Sequence, residues 1–174
     1  TGVFKTVSEG VYIFYFHDAG VDIYTEAGSH AFVTLAGITC GDVSSAGLYM
    51  ATSSGVQELT MASITGGSGD LTASVTLFKA SPDLLSNSVT EVAALDTKVA
   101  VASAGGVDLF YAGATRYSFT YVTGCSNVTF SDVNLFFSLD DTLHAYYLPY
   151  PTANWVLGDC IELYFDPPGD TVKQ

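Results

Sequence analysis

Short runs of β-branched and aromatic residues, each closed by glycine, aspartate or serine, recur along the whole chain. The run 11–16 (Val-Tyr-Ile-Phe-Tyr-Phe) lies between Gly10 and Asp18. Runs at 31–35, 47–51, 56–64 and 71–78 follow, the last two separated by the turn-forming stretch 65–70. Such runs bounded by turn residues predict strands. After Ser81-Pro82-Asp83 the spacing of Leu84, Leu85, Val89, Val92, Leu95 and Val99 suggests a short helix, against the poor helix propensity of its valines and threonines. A strand at 99–103 follows. The β pattern then resumes at 107–111, 117–123, 128–130, 133–139, 143–148 and 160–165.

Strand and turn signals spaced about 8–12 residues apart are those of a β-sandwich. The pattern therefore predicts one domain over 1–174: an all-β, antiparallel two-sheet sandwich of jelly-roll type. Tyr12, Phe14, Phe119, Tyr121, Ile161 and Leu163 are its candidate core. The alternation at 117–121 predicts one less buried face.

Composition changes the picture. Hydrophobic residues make up 48% of the chain and charged residues 13%, with 11 Phe, 11 Tyr and one Trp. Soluble domains usually carry about 25% charged residues. A surface this poor in charge predicts burial in an assembly. The net charge of −13, with only five Lys plus Arg, excludes nucleic acid as a partner and disfavours docking on anionic lipid. No apolar run approaches the ~18 residues of a membrane span. The chain begins at Thr1, consistent with a processed secreted precursor or a trimmed N-terminus.

The residues at the N-terminus, Thr1-Gly2-Val3-Phe4 followed by Gly10-Val11-Tyr12-Ile13-Phe14, resemble the opening of a C1q/TNF-like jelly roll. Leu157-Gly158-Asp159-Cys160-Ile161-Glu162-Leu163 resembles that family's late G-D-x-(V/I)-x-L strand. The resemblance implies a jelly roll and a trimeric recognition module. The family's N-terminal strand and closing strand are missing, which implies a sheet edge completed by a neighbour.

No catalytic signature is present: no G-x-S-x-G serine, H-E-x-x-H, P-loop or G-x-G-x-x-G. The chain is expected not to be an enzyme and to need no cofactor, calcium being the one candidate ligand. Asp18 with Asp22, and the pair Asp140-Asp141, supply carboxylates on turns, the donors calcium prefers. Asp166 and Asp170 form a further acidic turn. His17 and His30 could meet across strands beside Asp22 or Glu26. Asn127-Val128-Thr129 is a glycosylation sequon at Asn127. Tyr146, Tyr147, Tyr150 and Trp155 form the densest aromatic cluster, suited to an interface. Cys40, Cys125 and Cys160 allow buried free thiols, one disulfide or an intermolecular bridge.

These features predict a structural subunit that assembles with copies of itself and with other structural proteins, on a virion surface or capsid or in an extracellular fibre. The alternative is a secreted C1q-like or lectin-like recognition module, trimeric by resemblance.

Overall fold

The structure is a computed structural model and describes residues 2–111, 115–120, 124–139, 142–148 and 156–163. It is all-β, as the periodicity predicts. The strands form four small sheets, each an up-and-down meander in chain order. The first contains β1 (Val3–Glu9), β2 (Tyr12–His17), β3 (Gly20–Thr25) and β4 (Gly28–Thr34). The second contains β5 (Cys40–Val43), β6 (Gly47–Thr52) and β7 (Gly55–Thr60). Before its last strand the chain leaves the sheet, through α1 (Met61–Gly66) and the two-residue β8 (Gly69–Asp70), and returns as β9 (Thr76–Lys79). The third holds β10 (Val89–Leu95), β11 (Lys98–Ser103), β12 (Gly106–Tyr111) and β13 (Thr115–Thr120). The fourth holds β14 (Ser126–Phe130), β15 (Asn134–Leu139), β16 (Thr142–Tyr147) and β17 (Cys160–Leu163).

The hairpins explain why each sheet closes so tightly. Between β6 and β7, the Thr52 hydroxyl accepts the Ser54 N–H at 3.2 Å and donates to the Gly55 carbonyl at 3.3 Å. Ser103 makes the same pair of bonds to Gly105 and Gly106 between β11 and β12. A hydroxyl that satisfies its own turn in this way favours the reversal locally. Gly106 has φ +130°, and a Cβ there would collide with the Phe119 carbonyl on the adjacent strand. Only glycine fits that position.

Three apolar cores join the sheets in series. Phe14, Phe16 and Ile23 of the first sheet meet Leu48, Met50 and Leu59 of the second. Tyr49, Ala51 and Val56 turn the other way, onto Val99, Val101 and Phe110 of the third. Ala100, Val107 and Phe119 then meet Leu135, Phe137 and Tyr146 of the fourth. Strands of the two middle sheets are covered on both faces, so β6 is buried throughout and β11 nearly so. Strands of the end sheets alternate, as in β4 and β15. None of the three cores joins the fourth sheet back to the first.

This architecture corrects the two-sheet jelly-roll sandwich. Four face-stacked meanders replace two sheets that exchange strands. The residues that resemble the C1q/TNF opening form β1, a hairpin and β2. Those at the other end form a 3-10 turn and the outermost strand of the fourth sheet. Residues 84–99 contain no helix: β-branched Val89, Thr90 and Val92 lie in β10, where both faces find partners. Phe14 and Phe119 are core, whereas Ile161 is exposed; Tyr121 lies outside the described residues.

The excursion through α1 and β8 latches the second sheet onto the first. The Thr60 hydroxyl caps α1 by accepting the Ser63 N–H. β8 pairs parallel with β4, and the Leu71 N–H reaches the Phe32 carbonyl at 2.9 Å. His30 Nε2 donates to the Ile64 carbonyl at 2.8 Å, and Ile64 and Leu71 are buried in the first core.

Candidate functional site

The first strands of the four sheets, β1, β5, β10 and β14, lie beside one another in that order and form the inner edge of the stack. Three of them carry a β-bulge: between Val3 and Lys5, between Val89 and Glu91, and between Ser126 and Val128. Bulges re-aim side chains next to functional surfaces. On this edge Lys5 Nζ stands 3.2 Å from Glu91 Oε1 and 3.7 Å from Asp42 Oδ1. The second Asp42 oxygen accepts the Ala94 N–H at 2.9 Å. One ammonium thus bridges three sheets, and one of its partners, Asp42, is itself anchored by a backbone N–H. Next to it, Thr90 donates to the Cys125 carbonyl at 2.8 Å, tying the third sheet to the fourth. Burial and the nearby Glu91 charge push the Cys40 thiol up to about 11, with Thr39 and Lys5 opposing. A protonated thiol is a poor nucleophile and a poor metal ligand. The arrangement clamps the first three sheets together along their inner edge.

A cleft of about 480 Å³ opens where the strand connections of the second and third sheets meet. Thr39, Thr52, Ser53, Asn87 and Ser88 line it, with no charged side chain. Such a lining matches neutral, hydroxyl-rich ligands.

The two end faces of the stack are the most unusual surfaces. On the outer face of the first sheet, Ile13, Tyr24 and Phe32 are 38%, 37% and 41% exposed. Tyr15 meets Tyr24 edge-on at 5.5 Å. The charges along this sheet surface are Asp22, whose carboxylate is 3.5 Å from His17 Nε2, and exposed Asp70 of β8, which pairs in register with Phe32. On the outer face of the fourth sheet, Tyr147 and Ile161 are 49% and 64% exposed, beside half-buried Phe136 and Leu143. An antiparallel sheet normally shows water an alternating polar face. These faces show it aromatics and branched aliphatics.

The predicted site residues scatter across this frame. Asp18 sits in the β2–β3 turn, where its carbonyl accepts the Gly37 N–H. Asp22 lies on β3 against His17, and His30 is engaged by the α1 segment. Among the described residues no three acidic, imidazole or thiol groups gather as metal ligands. Asp140, Asp141, Asp166, Asp170, Tyr150 and Trp155 lie outside the described residues. Tyr146 belongs to the third core, while its neighbour Tyr147 faces solvent. Asn127 and Thr129 of the sequon are exposed, with Asn127 at φ 49° in the β14 bulge. Cys40, Cys125 and Cys160 form no disulfide, and Cys40 and Cys125 are buried. Lys5, Glu91 and the end faces have no local motif. Only the repeated turn Gly20-Val21-Asp22, Gly55-Val56-Gln57 and Gly106-Val107-Asp108, once per sheet in the first three, could have revealed the stack that builds them.

No protein-family model and no curated protein matches the chain. Solved structures do. The computationally designed Ika8 protein superposes with a TM-score of 0.62 at 15% identity, over 83% of this chain and 45% of its own. PorZ, a bacterial surface component of the type-IX secretion system of Porphyromonas gingivalis, gives 0.61 at 16% identity, over 95% and 23%. The WD40 beta propeller domain of Doa1 gives 0.62 at 10% identity, over 87% and 51%. The chain thus spans about half or less of each of these structures. At such identities the likeness establishes fold alone: the four sheets are propeller-like blades. The virion and capsid roles expected with a jelly roll lose their basis with it, since these neighbours are propeller-like. Among the described residues no helix is long and apolar enough to cross a membrane.

Proposed function

We propose that this chain is a non-enzymatic, propeller-type structural module that works by protein–protein assembly through the outer face of its first blade. The carrying observation is the outer face of blade 1, where Ile13, Tyr24 and Phe32 stand exposed on one sheet surface. Contiguous exposed apolar surface of this kind marks interfaces, and tyrosine and phenylalanine are favoured there. The low share of charged residues, 13% of the chain, points the same way. An extracellular setting suits the proposal, because PorZ, to which the chain is similar in fold, is a bacterial surface component. Sedimentation velocity at micromolar concentration and physiological salt tests the reading. Species heavier than the 18.3 kDa chain are expected; a clean monomer at every salt concentration refutes it.

A second reading is recognition of a neutral polar ligand such as a carbohydrate, favoured by the uncharged cleft at Thr39, Thr52 and Asn87. Screening against a glycan array tests it. Binding lost in Asn87→Ala supports recognition, and no binding removes it.

A further inference from the structure

We infer that Asn127 carries an N-linked glycan, which the fold places on the inner edge of the fourth sheet. The inference goes beyond the assembly reading. It shares with it only the extracellular setting, and the two stand or fall separately.

The first argument is position. The chain has four asparagines: Asn87, Asn127, Asn134 and Asn154. Only Asn127 is followed two residues on by a hydroxyl, that of Thr129, with Val128 and not proline between them. Among the described asparagines it is also the one that the fold releases. β14 pairs with β15 at Ser126–Ser138 and at Val128–Phe137, and Asn127 is the extra residue of the bulge between them, without a partner across the ladder. Asn134, by contrast, sits in the ladder opposite Tyr147, and the Asn87 side chain accepts the Ser81 N–H at 2.8 Å. Asn154 lies outside the described residues.

The second argument is accommodation. A glycan is bulky and solubilising, so the folded chain must leave its asparagine on open surface. Asn127 and Thr129 are exposed on either side of Val128, which is buried in the core shared by the third and fourth sheets. Just before the bulge the strand is pinned. The Cys125 N–H donates to the Ser103 carbonyl at 3.1 Å, and the Cys125 carbonyl accepts the Thr90 hydroxyl at 2.8 Å. Asn127 is thus presented from a backbone held on both sides. Among the described residues nothing engages its side chain, so a sugar on Nδ2 displaces no contact there.

The third argument separates this role from a purely structural one. Asn127 has φ 49°, in the left-handed region that asparagine enters more readily than most residues. Backbone conformation alone is met equally by glycine or aspartate, and neither accepts a glycan. Asparagine at the bulge with Thr129 two residues on supplies the acceptor as well.

The donor is an oligosaccharide carried on a lipid pyrophosphate. The Asn127 Nδ2 forms a bond to the anomeric carbon of the first sugar, and the bond from that carbon to the pyrophosphate oxygen breaks. The lipid pyrophosphate leaves and the amide nitrogen gives up one proton. No electrons are exchanged.

The test expresses the full chain behind a cleavable secretion signal in cultured mammalian cells, as wild type, Thr129→Ala, Thr129→Ser and Asn127→Gly. Thr129→Ala removes the acceptor pattern and leaves the bulge residue in place, whereas Thr129→Ser keeps the pattern. Asn127→Gly removes the acceptor and suits the positive φ. Wild type and Thr129→Ser are expected above the 18.3 kDa mass of the polypeptide. Peptide N-glycosidase should return both to it, leaving an aspartate at position 127 that peptide mass spectrometry reads. Thr129→Ala and Asn127→Gly are expected at the polypeptide mass with or without the enzyme. Transfer precedes export, so chain retained inside the cells is analysed in the same way. Wild type should melt at the same temperature before and after the sugar is released.

A wild type that stays at the polypeptide mass overturns the inference. So does a shift that persists in Thr129→Ala, which puts the sugar elsewhere. A glycosylated wild type that melts well below the enzyme-treated chain shows that the bulge does not accommodate the sugar, and overturns it too. None of these outcomes touches the assembly reading, which sedimentation of the Thr129→Ala chain tests on its own.

Discussion

The Asp108 carboxylate, wholly buried on β12, accepts the backbone N–H of Leu85 at 2.7 Å. Leu85 lies in the connection that enters blade 3, so this bond fixes where the blade begins relative to its third strand. The other oxygen accepts the Ser118 hydroxyl at 2.8 Å, reaching across to β13. A buried carboxylate is tolerated only when its hydrogen bonds are made. Asp108→Ala is expected to lower stability by about 1–3 kcal/mol for each donor left unpaired. Asp108→Asn, which keeps one acceptor, should cost less. Urea unfolding of both variants checks the order; equal loss contradicts the assignment of the carboxylate as a two-donor anchor.

The glycine that opens β12 gives a second expectation. Gly106 has positive φ and no room for a Cβ beside the Phe119 carbonyl, whereas Gly37 has φ +78° and open space around it. Both alanine variants bear backbone strain of about 1–2 kcal/mol. Gly106→Ala must in addition push β13 away from β12. Its melting temperature should therefore fall well below that of Gly37→Ala. Matching melting temperatures contradict the close strand approach.

Much of the strand content is legible in the sequence, because a β-branched or aromatic run between turn residues looks the same in any antiparallel meander. The runs around Phe14, Met50, Val101 and Phe137 all lie in strands. The architecture is harder to read, since sandwich and blade share that local pattern. The difference lies in which runs alternate. Leu48-Tyr49-Met50-Ala51 and Val99-Ala100-Val101-Ala102 are apolar without a break because their sheets are covered on both faces. Asn134-Leu135-Phe136-Phe137-Ser138-Leu139 buries every second residue, because its sheet ends the stack. The Gly-Val-Asp/Gln repeat at positions 20, 55 and 106 carries the same information. The excursion through α1 and β8, between the second and third copies, stretches the interval and hides the period. The Lys5 clamp is illegible locally, since its carboxylates come from strands far apart in the chain.

The thiols set a pH dependence. Burial first, then the Glu91 charge, pushes Cys40 from 9.0 up to about 11. Burial, Asp159 and Cys125 push Cys160 up to about 12. A raised thiol pKa means that folding favours the protonated form. Below pH 9 both folded and unfolded chains hold these protons, and the contribution is fully present. As pH rises above 9 the unfolded chain ionises first, so stability falls toward pH 11–12. The melting temperature should drop between pH 8 and pH 10.5 for wild type and drop less for Cys40→Ala. An identical drop in both removes Cys40 from the account. In the folded protein at pH 8, Cys40 should also react slowly with an aromatic disulfide reagent.

The inner-edge clamp gives the last expectation. Lys5 stands between Asp42 and Glu91, with each side chain only partly shielded from water. Isolated exposed pairs contribute about 0–1 kcal/mol, so removing one partner is expected to matter chiefly through what it leaves behind. Lys5→Met keeps the aliphatic stem and leaves two carboxylates of adjacent blades facing one another. Repulsion between them acts to separate the inner strands of blades 2 and 3, and dissolved salt screens it. Lys5→Met should therefore melt below wild type at low ionic strength, by an amount corresponding to about 1–2 kcal/mol. The gap should narrow as sodium chloride is added. Glu91→Gln in the same chain should recover part of the loss at low salt, since it removes the charge that Lys5 no longer balances. A gap that neither salt nor Glu91→Gln changes would mean that Lys5 acts through packing of its stem, and that the ion triad does not hold the blades together.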